Sequence, residues 1–517
     1  MSFELEKESL RFCEPLKEDN TKLILNTDVI IPDTKPDVLN ILDVSALASV
    51  DEKQVQNNKI NLSGKAYYTI LYSAGDETGE IKSVFYSVPF KEELCIEGVD
   101  DNSLNYVLAS VSHIEPTIVN SRKINIKTVL NFDFCAVKEE NCAAVSSVGS
   151  EYNLPFKKEK LNILRLSVCS QNSFFVSDEL KVSAGDGLDE VLKTEVKVVS
   201  KEVKPMNNKL VIKGSVLTDI LYLSDGELYH TENETPFTEV LDAQGLTPEM
   251  DTELKYSVHS FEAVPSLNEN ENNINFEAKI DAVLKAYEEE SHEIISDIYS
   301  PDYAVEARRE TYGIRTLADV FKENFTITEV VSLEDSKPNI LKVFSFGANP
   351  HVDNISVSDG NVMIDGYLDA KIMYLTDSES LPIYSSQKKI PISLRINHKK
   401  LRADSIVDIE VSCEHAGYIL KSEKDFEVRA SVKAEGKIIS QTTAEVITEV
   451  AVKEDEPICK ENQAGIVIYF ADKDESLWNI AKKYNTTTTE IAQLNGIEEN
   501  TSLSERQQLI IPKRFVI

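Results

Sequence analysis

Positive charge is scarce in this 517-residue chain: 54 Lys and Arg stand against 88 Asp and Glu, a formal net charge of −34. A surface that acidic repels phosphate backbones and anionic lipid, because contact with either comes mainly from Lys and Arg. Nucleic acid is therefore a poor partner. The charge reads as solubilising, with a basic partner surface as the sharper alternative. Paired cysteines are missing as well. Cys13, Cys95, Cys135, Cys142, Cys169, Cys413 and Cys459 are odd in number and never form a CxxC pair. That fits neither a disulfide framework nor a zinc site and suits a reducing cytosol. The amino terminus lacks a cationic start followed by an apolar core, and no apolar run approaches the roughly 18 residues of a membrane span. The protein is expected to stay inside the cell.

Catalytic and nucleotide-binding patterns are also lacking. There is no GxxxxGKS/T loop, and Gly185-Asp186-Gly187 has no strand-to-helix context for a dinucleotide. The seven histidines are scattered without HExxH or a metal-ligand spacing. Cys413-Glu414-His415 puts a thiol and an imidazole on one strand face, but nothing nearby lowers the thiol pKa. No enzyme, cofactor or metal is expected.

What the chain does have is internal repetition, which takes precedence over local assignments. Asn58-Lys59-Ile60-Asn61-Leu62-Ser63-Gly64 leads to Tyr72, and similar segments lead through Gly214 to Tyr222 and through Gly366 to Tyr374. The glycines lie 150 and 152 residues apart, each eight positions before its tyrosine. Apolar residues alternate around each glycine: Ile60, Leu62, Ala66 and Ile70, then Leu210, Ile212, Val216 and Ile220, then Val362, Ile364, Leu368 and Ile372. Period two means a strand with one buried face. A glycine inside it implies a bulge or a close backbone approach. The recurring tyrosines read as packing residues of homologous cores.

Further landmarks travel with this motif. Lys35-Pro36-Asp37 and Lys337-Pro338-Asn339 place a proline 28 residues before Gly64 and Gly366, whereas the middle copy has Gly187-Leu188-Asp189. Pro89-Phe90, Pro236-Phe237 and Pro391-Ile392 follow downstream. The expected organisation is mostly β: three tandem homologous β-rich domains at about 20–140, 165–290 and 315–452, a linker over 453–462, and a small module over 463–517. Residues 138–150 and 288–303 read as polar connectors. Residues 311–324 suggest a short helix with Leu317, Val320 and Phe321 on one face.

In the tail the pattern changes to strand, helix, helix, strand. Ile466-Val467-Ile468-Tyr469 is a strand, with Ile466 and Ile468 expected inward and Val467 outward. Leu477, Ile480, Ala481 and Tyr484 mark a first helix. Thr487 to Leu494 is a second, with Thr488 as the expected cap and Asn495-Gly496 as its end, and Leu509-Ile510-Ile511-Pro512 closes the module. This βααβ order resembles a LysM module. Asp474 and Ser476-Leu477 match its Gly-Asp-Thr-Leu turn, Asn495-Gly496-Ile497 its Asn-Gly step, and Gln508 to Pro512 its last strand. In that alignment Lys473 replaces the turn glycine, Glu475 is an insertion, and Arg506-Gln507 lacks a glycine common before the last strand.

The repeated unit resembles the SPOCS domain, and the whole arrangement resembles the SipL family of spore-coat morphogenetic proteins. The resemblance implies a non-enzymatic scaffold in the mother-cell cytoplasm, at the forespore surface, which binds the coat ATPase SpoIVA through its LysM and helps anchor the coat. The partner-binding face it implies comprises Lys473, Asp474, Glu475, Ser476, Trp478, Asn495, Gly496 and Ile497. The alternative is a wall-polysaccharide binder, since a LysM can hold N-acetylglucosamine chains on that side. Trp478, the only tryptophan, reads as core, as an interface anchor or as a ring on which a sugar stacks. Self-association is left open.

Overall fold

The computed structural model describes residues 4–75, 80–182, 187–266, 273–378, 382–458, 465–499, 503 and 506–512. The first repeat consists of β1 (Leu5–Ile30), β2 (Val38–Gln56), β3 (Lys59–Ala74), β4 (Ile81–Cys95), β5 (Leu104–Asn120) and β6 (Lys123–Val148). The second follows as β7 (Phe156–Lys181), β8 (Leu188–Met206), β9 (Lys209–Ser224), β10 (Glu227–Asp242), β11 (Asp251–Pro265) and β12 (Asn273–Ile298). The third is β13 (Tyr303–Ser332), β14 (Ile340–Ser358), β15 (Asn361–Thr376), β16 (Ile383–Asn397), β17 (Ile406–Leu420) and β18 (Asp425–Pro457).

Each repeat is a sandwich of two antiparallel three-stranded sheets. In the first repeat their orders are β1-β6-β5 and β2-β3-β4, and the other two repeats follow the same plan. The alternating residues named above all point into these sandwiches and are buried. The motif glycines are set by a close approach. A Cβ on Gly64 would lie 2.1 Å from the Ser49 carbonyl oxygen and 2.7 Å from the Phe90 ring. Gly64 pairs with Phe90 on one side and with Val50, at a bulge of β2, on the other. Gly214 pairs with Phe237 and Gly366 with Ile392; in the first two repeats the phenylalanine of the downstream landmark covers the glycine, whereas a Cβ on Gly366 would meet the His351 backbone. The tyrosine and proline landmarks are linked by a hydrogen bond. Buried Tyr72 donates its hydroxyl to the Pro36 carbonyl at 3.0 Å, and Tyr374 donates to Pro338 at 3.2 Å.

The sheets run beyond the expected repeat limits. The supposed connectors 138–150 and 288–303 are largely the ends of β6 and β12, paired with the starts of β1 and β7. The expected helix at 311–324 is part of β13. A register shift between Leu317 and Asp319 interrupts its alternation, and Val320 is exposed while its neighbour Phe321 is buried, so the three apolar residues do not share one face. The expected linker is strand up to Pro457, where β13 pairs with β18; residues 459–462 lie outside the described residues.

These long terminal strands bring the repeats together. One buried cluster joins Leu10, Phe12 and Cys142 of the first repeat to Leu161, Ile163 and Ile294 of the second and Ile314 and Val446 of the third. A neighbouring cluster joins Val145, Ile295, Ile298, Ile447 and Val450. A further cluster, formed by the other sheets, contains Leu42, Leu71, Leu192, Leu221 and Met373. Every repeat touches both others, so the three surround a common axis. At that axis buried Asp43 receives Lys193 of the second repeat, at 2.6 Å, and Lys371 of the third. Between the second and third repeats, Lys285 is 1% exposed and held 2.9 Å from both Glu253 and Asp408. Burial alone would push this ammonium toward its neutral form, but the carboxylates of Asp408 and Glu253 outweigh it and hold the group charged.

Replacing Gly64 with alanine should destabilise the chain by about 1–3 kcal/mol through overpacking. Gly313→Ala should have little effect, because nothing lies within 4 Å of its added Cβ. Urea unfolding midpoints of the two variants test this; equal midpoints would refute the close-approach account.

Candidate functional site

After the repeats comes a small module of β19 (Ile466–Ala471), α1 (Leu477–Lys483), α2 (Thr488–Asn495) and β20 (Gln507–Pro512). Ala471, Leu477, Ile480, Ala481, Ile491, Leu509 and Ile511 form its core. Thr487, one residue before the expected cap, closes α2. Its hydroxyl accepts from the Glu490 N–H, and the Glu490 carboxylate accepts from the Thr487 N–H. Gly496 ends the helix in the left-handed conformation, with φ 62°.

The turn before α1 differs from the expected alignment. The left-handed residue is Asp474, with φ 63°, not Lys473. Asp474 therefore holds the position that favours glycine. Glu475 is the structural acid: it accepts from the Asp472 N–H and from the Tyr469 hydroxyl, at 3.1 and 2.6 Å. The bond to Glu475 pushes the Tyr469 phenol up to about 12. No insertion is needed.

The implied partner-binding residues thus divide into two groups. Lys473, Asp474 and Ser476 are exposed. Asn495 instead ties α2 to β20, its side-chain amide donating to the Ile491 and Ile510 carbonyls and accepting from the Ile510 N–H. Ile497 packs against the module core. Glu475 and Gly496 hold their own turns. The orientation of β19 is opposite to the expectation: Val467 and Tyr469 pack inward, whereas Ile466, Ile468 and Phe470 are 59%, 58% and 58% exposed. Beside them stands exposed Ile510, paired with Ile468. The helices cover only one face of the two-stranded sheet, and the apolar other face is open.

Trp478 faces the repeats. Its indole N–H donates to Asp297 Oδ2 at 2.8 Å, and its ring meets that of Tyr299 edge-on, with centroids 4.9 Å apart. Tyr299, buried in the connection between the second and third repeats, donates its hydroxyl to the Thr486 carbonyl at 2.8 Å. Lys482 and Arg309 also reach Asp297, at 2.7 and 2.9 Å. Trp478, Lys482 and Thr486 thereby join the module to the sheet domains through Asp297 and Tyr299. No motif announced Asp297 or Tyr299, which lie in the stretch read as a polar connector. Burial alone would raise the Asp297 pKa, but the bonds from Lys482 and Trp478 outweigh it and leave the carboxyl below its ordinary value of 3.8.

Elsewhere, Cys413 is buried while His415 is exposed. A register shift between them breaks the shared strand face, and burial raises the thiol pKa. Asp219, His230 and Glu232 bring possible ligand atoms within 4.8 Å of one another. The 2.7 Å bond between Asp219 and His230 accounts for that grouping. Among the described residues no helix is long and apolar enough to cross a membrane.

The family model described as SipL, SPOCS domain matches residues 37–119, 188–265 and 339–421. The LysM domain model matches residues 472–512. No curated protein and no solved structure matches the chain.

Trp478→Ala is expected to undock the terminal domain, at a cost of about 2 kcal/mol, while both parts stay folded. Amide exchange should rise at 297–303 and 477–486 and stay slow in the repeat cores. Loss of protection across β19 and β20 would instead make Trp478 a pillar of the domain's own fold. Because docking lowers the Asp297 pKa, its contribution is present above pH 3.8 and is lost as the pH falls through the depressed docked-state value. Exchange at the junction should therefore rise on acidification below that pH, and Asp297→Asn should remove the pH dependence.

Proposed function

From a chain with the SipL architecture, three SPOCS domains followed by one LysM domain, we propose a non-enzymatic scaffold of spore formation whose LysM binds a protein partner. The partner is the coat ATPase SpoIVA, and the complex helps hold the coat at the forespore surface in the mother-cell cytoplasm. The observation that carries this reading is the open apolar face formed by Ile466, Ile468, Phe470 and Ile510. Such a patch, on a domain otherwise rich in charge, suits burial against another protein. The exposed Lys473 and Asp474 then belong to its polar rim and orient the partner. Sugar chains ask for convergent polar groups. In this LysM, Glu475 and Asn495 already spend theirs on internal bonds, which favours a protein over N-acetylglucosamine.

The three SPOCS domains give the LysM a rigid mount. Docking through Trp478 fixes its orientation while leaving the apolar face open. Ile468→Glu in the full chain should weaken capture of the coat ATPase at least tenfold, the range of a central interface residue at about 1.4–3 kcal/mol. The exposed position of Ile468 should leave the melting curve unchanged. Undiminished capture, or strong co-sedimentation of the chain with purified peptidoglycan, would reject the proposal.

A further inference from the structure

The three repeats serve as internal controls for one another. Ile124, Ile274 and Phe426 each follow their motif glycine by 60 residues, so rungs can be matched from one repeat to the next. Two departures stand out. Counting five residues from Gly64, Thr69 pairs with Phe85; the matching pairs are Asp219 with Glu232 and Lys371 with Gln387. The neighbouring rung presents Tyr86 in the first repeat, Asn233 in the second and Lys388 in the third. Only the first repeat places aromatic residues at these two rungs. Phe85 is 59% exposed.

The second departure is one of charge. Three residues after Ile124, Lys127 pairs with Glu115, and the same rung in the third repeat pairs Arg429 with Gly417. In the second repeat it pairs Glu277 with Glu262. Like charges directly opposite each other weaken a sheet, and among the described residues no cation forms an ion pair with either. Asp178 and Glu179 lie alongside them in an adjoining hollow. Their described side-chain bonds come from Thr235, Asn273 and the Glu179 N–H, all neutral donors.

Both departures face one groove. A cleft of about 570 Å³ between the first two repeats is lined by Phe85, Tyr86, Phe175, Val264, Glu262 and Glu277. Its one lysine, Lys279, stands on the rung of Phe175, with its ammonium 3.3 Å from His259 Nε2. We infer that this groove binds an extended segment of a partner protein, with an aromatic side chain at one position and a Lys or Arg two residues later. The aromatic side chain would lie on Phe85, Tyr86 and Phe175, and the cation would neutralise Glu262 and Glu277. The spacing follows from the sheet. Ser177, opposite Glu277, is two residues beyond Phe175, about 7 Å along a strand, which is the repeat of same-face side chains in an extended chain. This surface is separate from the LysM face and gives the repeats a recognition role of their own.

The test uses the full chain and a rhodamine-labelled, amidated peptide, Gly-Phe-Ser-Arg-Ser-Gly, followed by fluorescence anisotropy at low salt. Binding should weaken at least tenfold when Arg in the peptide is replaced by Glu or Phe by Ala, and likewise in the protein variants Phe85→Ser and Glu277→Lys. Glu277→Lys gives the second repeat the charge sign of the other two, so its melting temperature should hold or rise while binding is lost. Equal binding of the Arg and Glu peptides, or binding unchanged in either variant, would overturn the inference. Sedimentation velocity on the same variants covers the remaining occupant: a change in self-association would make the groove a contact between copies of this chain and overturn the assignment to a partner.

Discussion

The constraint on which the molecule depends is that a two-stranded ribbon cannot stand alone in water. Each repeat begins and ends with strands that outrun its sandwich, and the overhanging halves of β1 and β6, β7 and β12, and β13 and β18 pair only with each other. Each ribbon carries an apolar face. Three such faces close on one another through Leu10, Leu161, Ile314 and their neighbours. The repeats therefore form one body around an axis. Their sandwich cores, by contrast, remain separate.

Charge at the axis makes the arrangement unequal. Asp43, Lys193 and Ser345 occupy matching places in β2, β8 and β14, each opposite Leu71, Leu221 or Met373. A carboxylate, an ammonium and a hydroxyl thus replace what symmetry would make identical. A buried ion pair is weak support for stability, but losing one member leaves a costly orphan charge. Such a pair discriminates between neighbours: Asp43 accepts Lys193 and Lys371, so the order of the repeats around the axis is specified by chemistry as well as by connectivity.

The unequal surfaces carry the functional consequences. The connection between the second and third repeats offers Asp297 and Tyr299 to Trp478, and the docked LysM keeps the open face of its sheet turned outward. The groove between the first two repeats is lined by an aromatic pair and a Glu-Glu rung that the other repeats lack at the matching positions. A chain made of three copies of one fold thus has distinct surfaces, because substitutions at matched rungs cost the sandwich cores little.

Period-two burial, the close approach at each motif glycine and the βααβ tail were all written in local residue patterns. Local physics decides them: alternation selects the strand, and a missing Cβ permits close approach. The false helix at 311–324 arose because a single bulge changes the phase of alternation, and a lone sequence does not mark which residue bulges. The reversal of Ile466 and Val467 arose because both faces of β19 are apolar, so hydropathy does not distinguish the face that the helices cover. Trp478 could be singled out as an anchor, but its counterpart, Asp297, lies 181 residues away. The sequence by itself determined how many sheet domains there are and what fills each core, since those contacts recur at fixed spacing. Tertiary structure alone decided which faces meet, because contacts between repeats join residues that no periodicity relates.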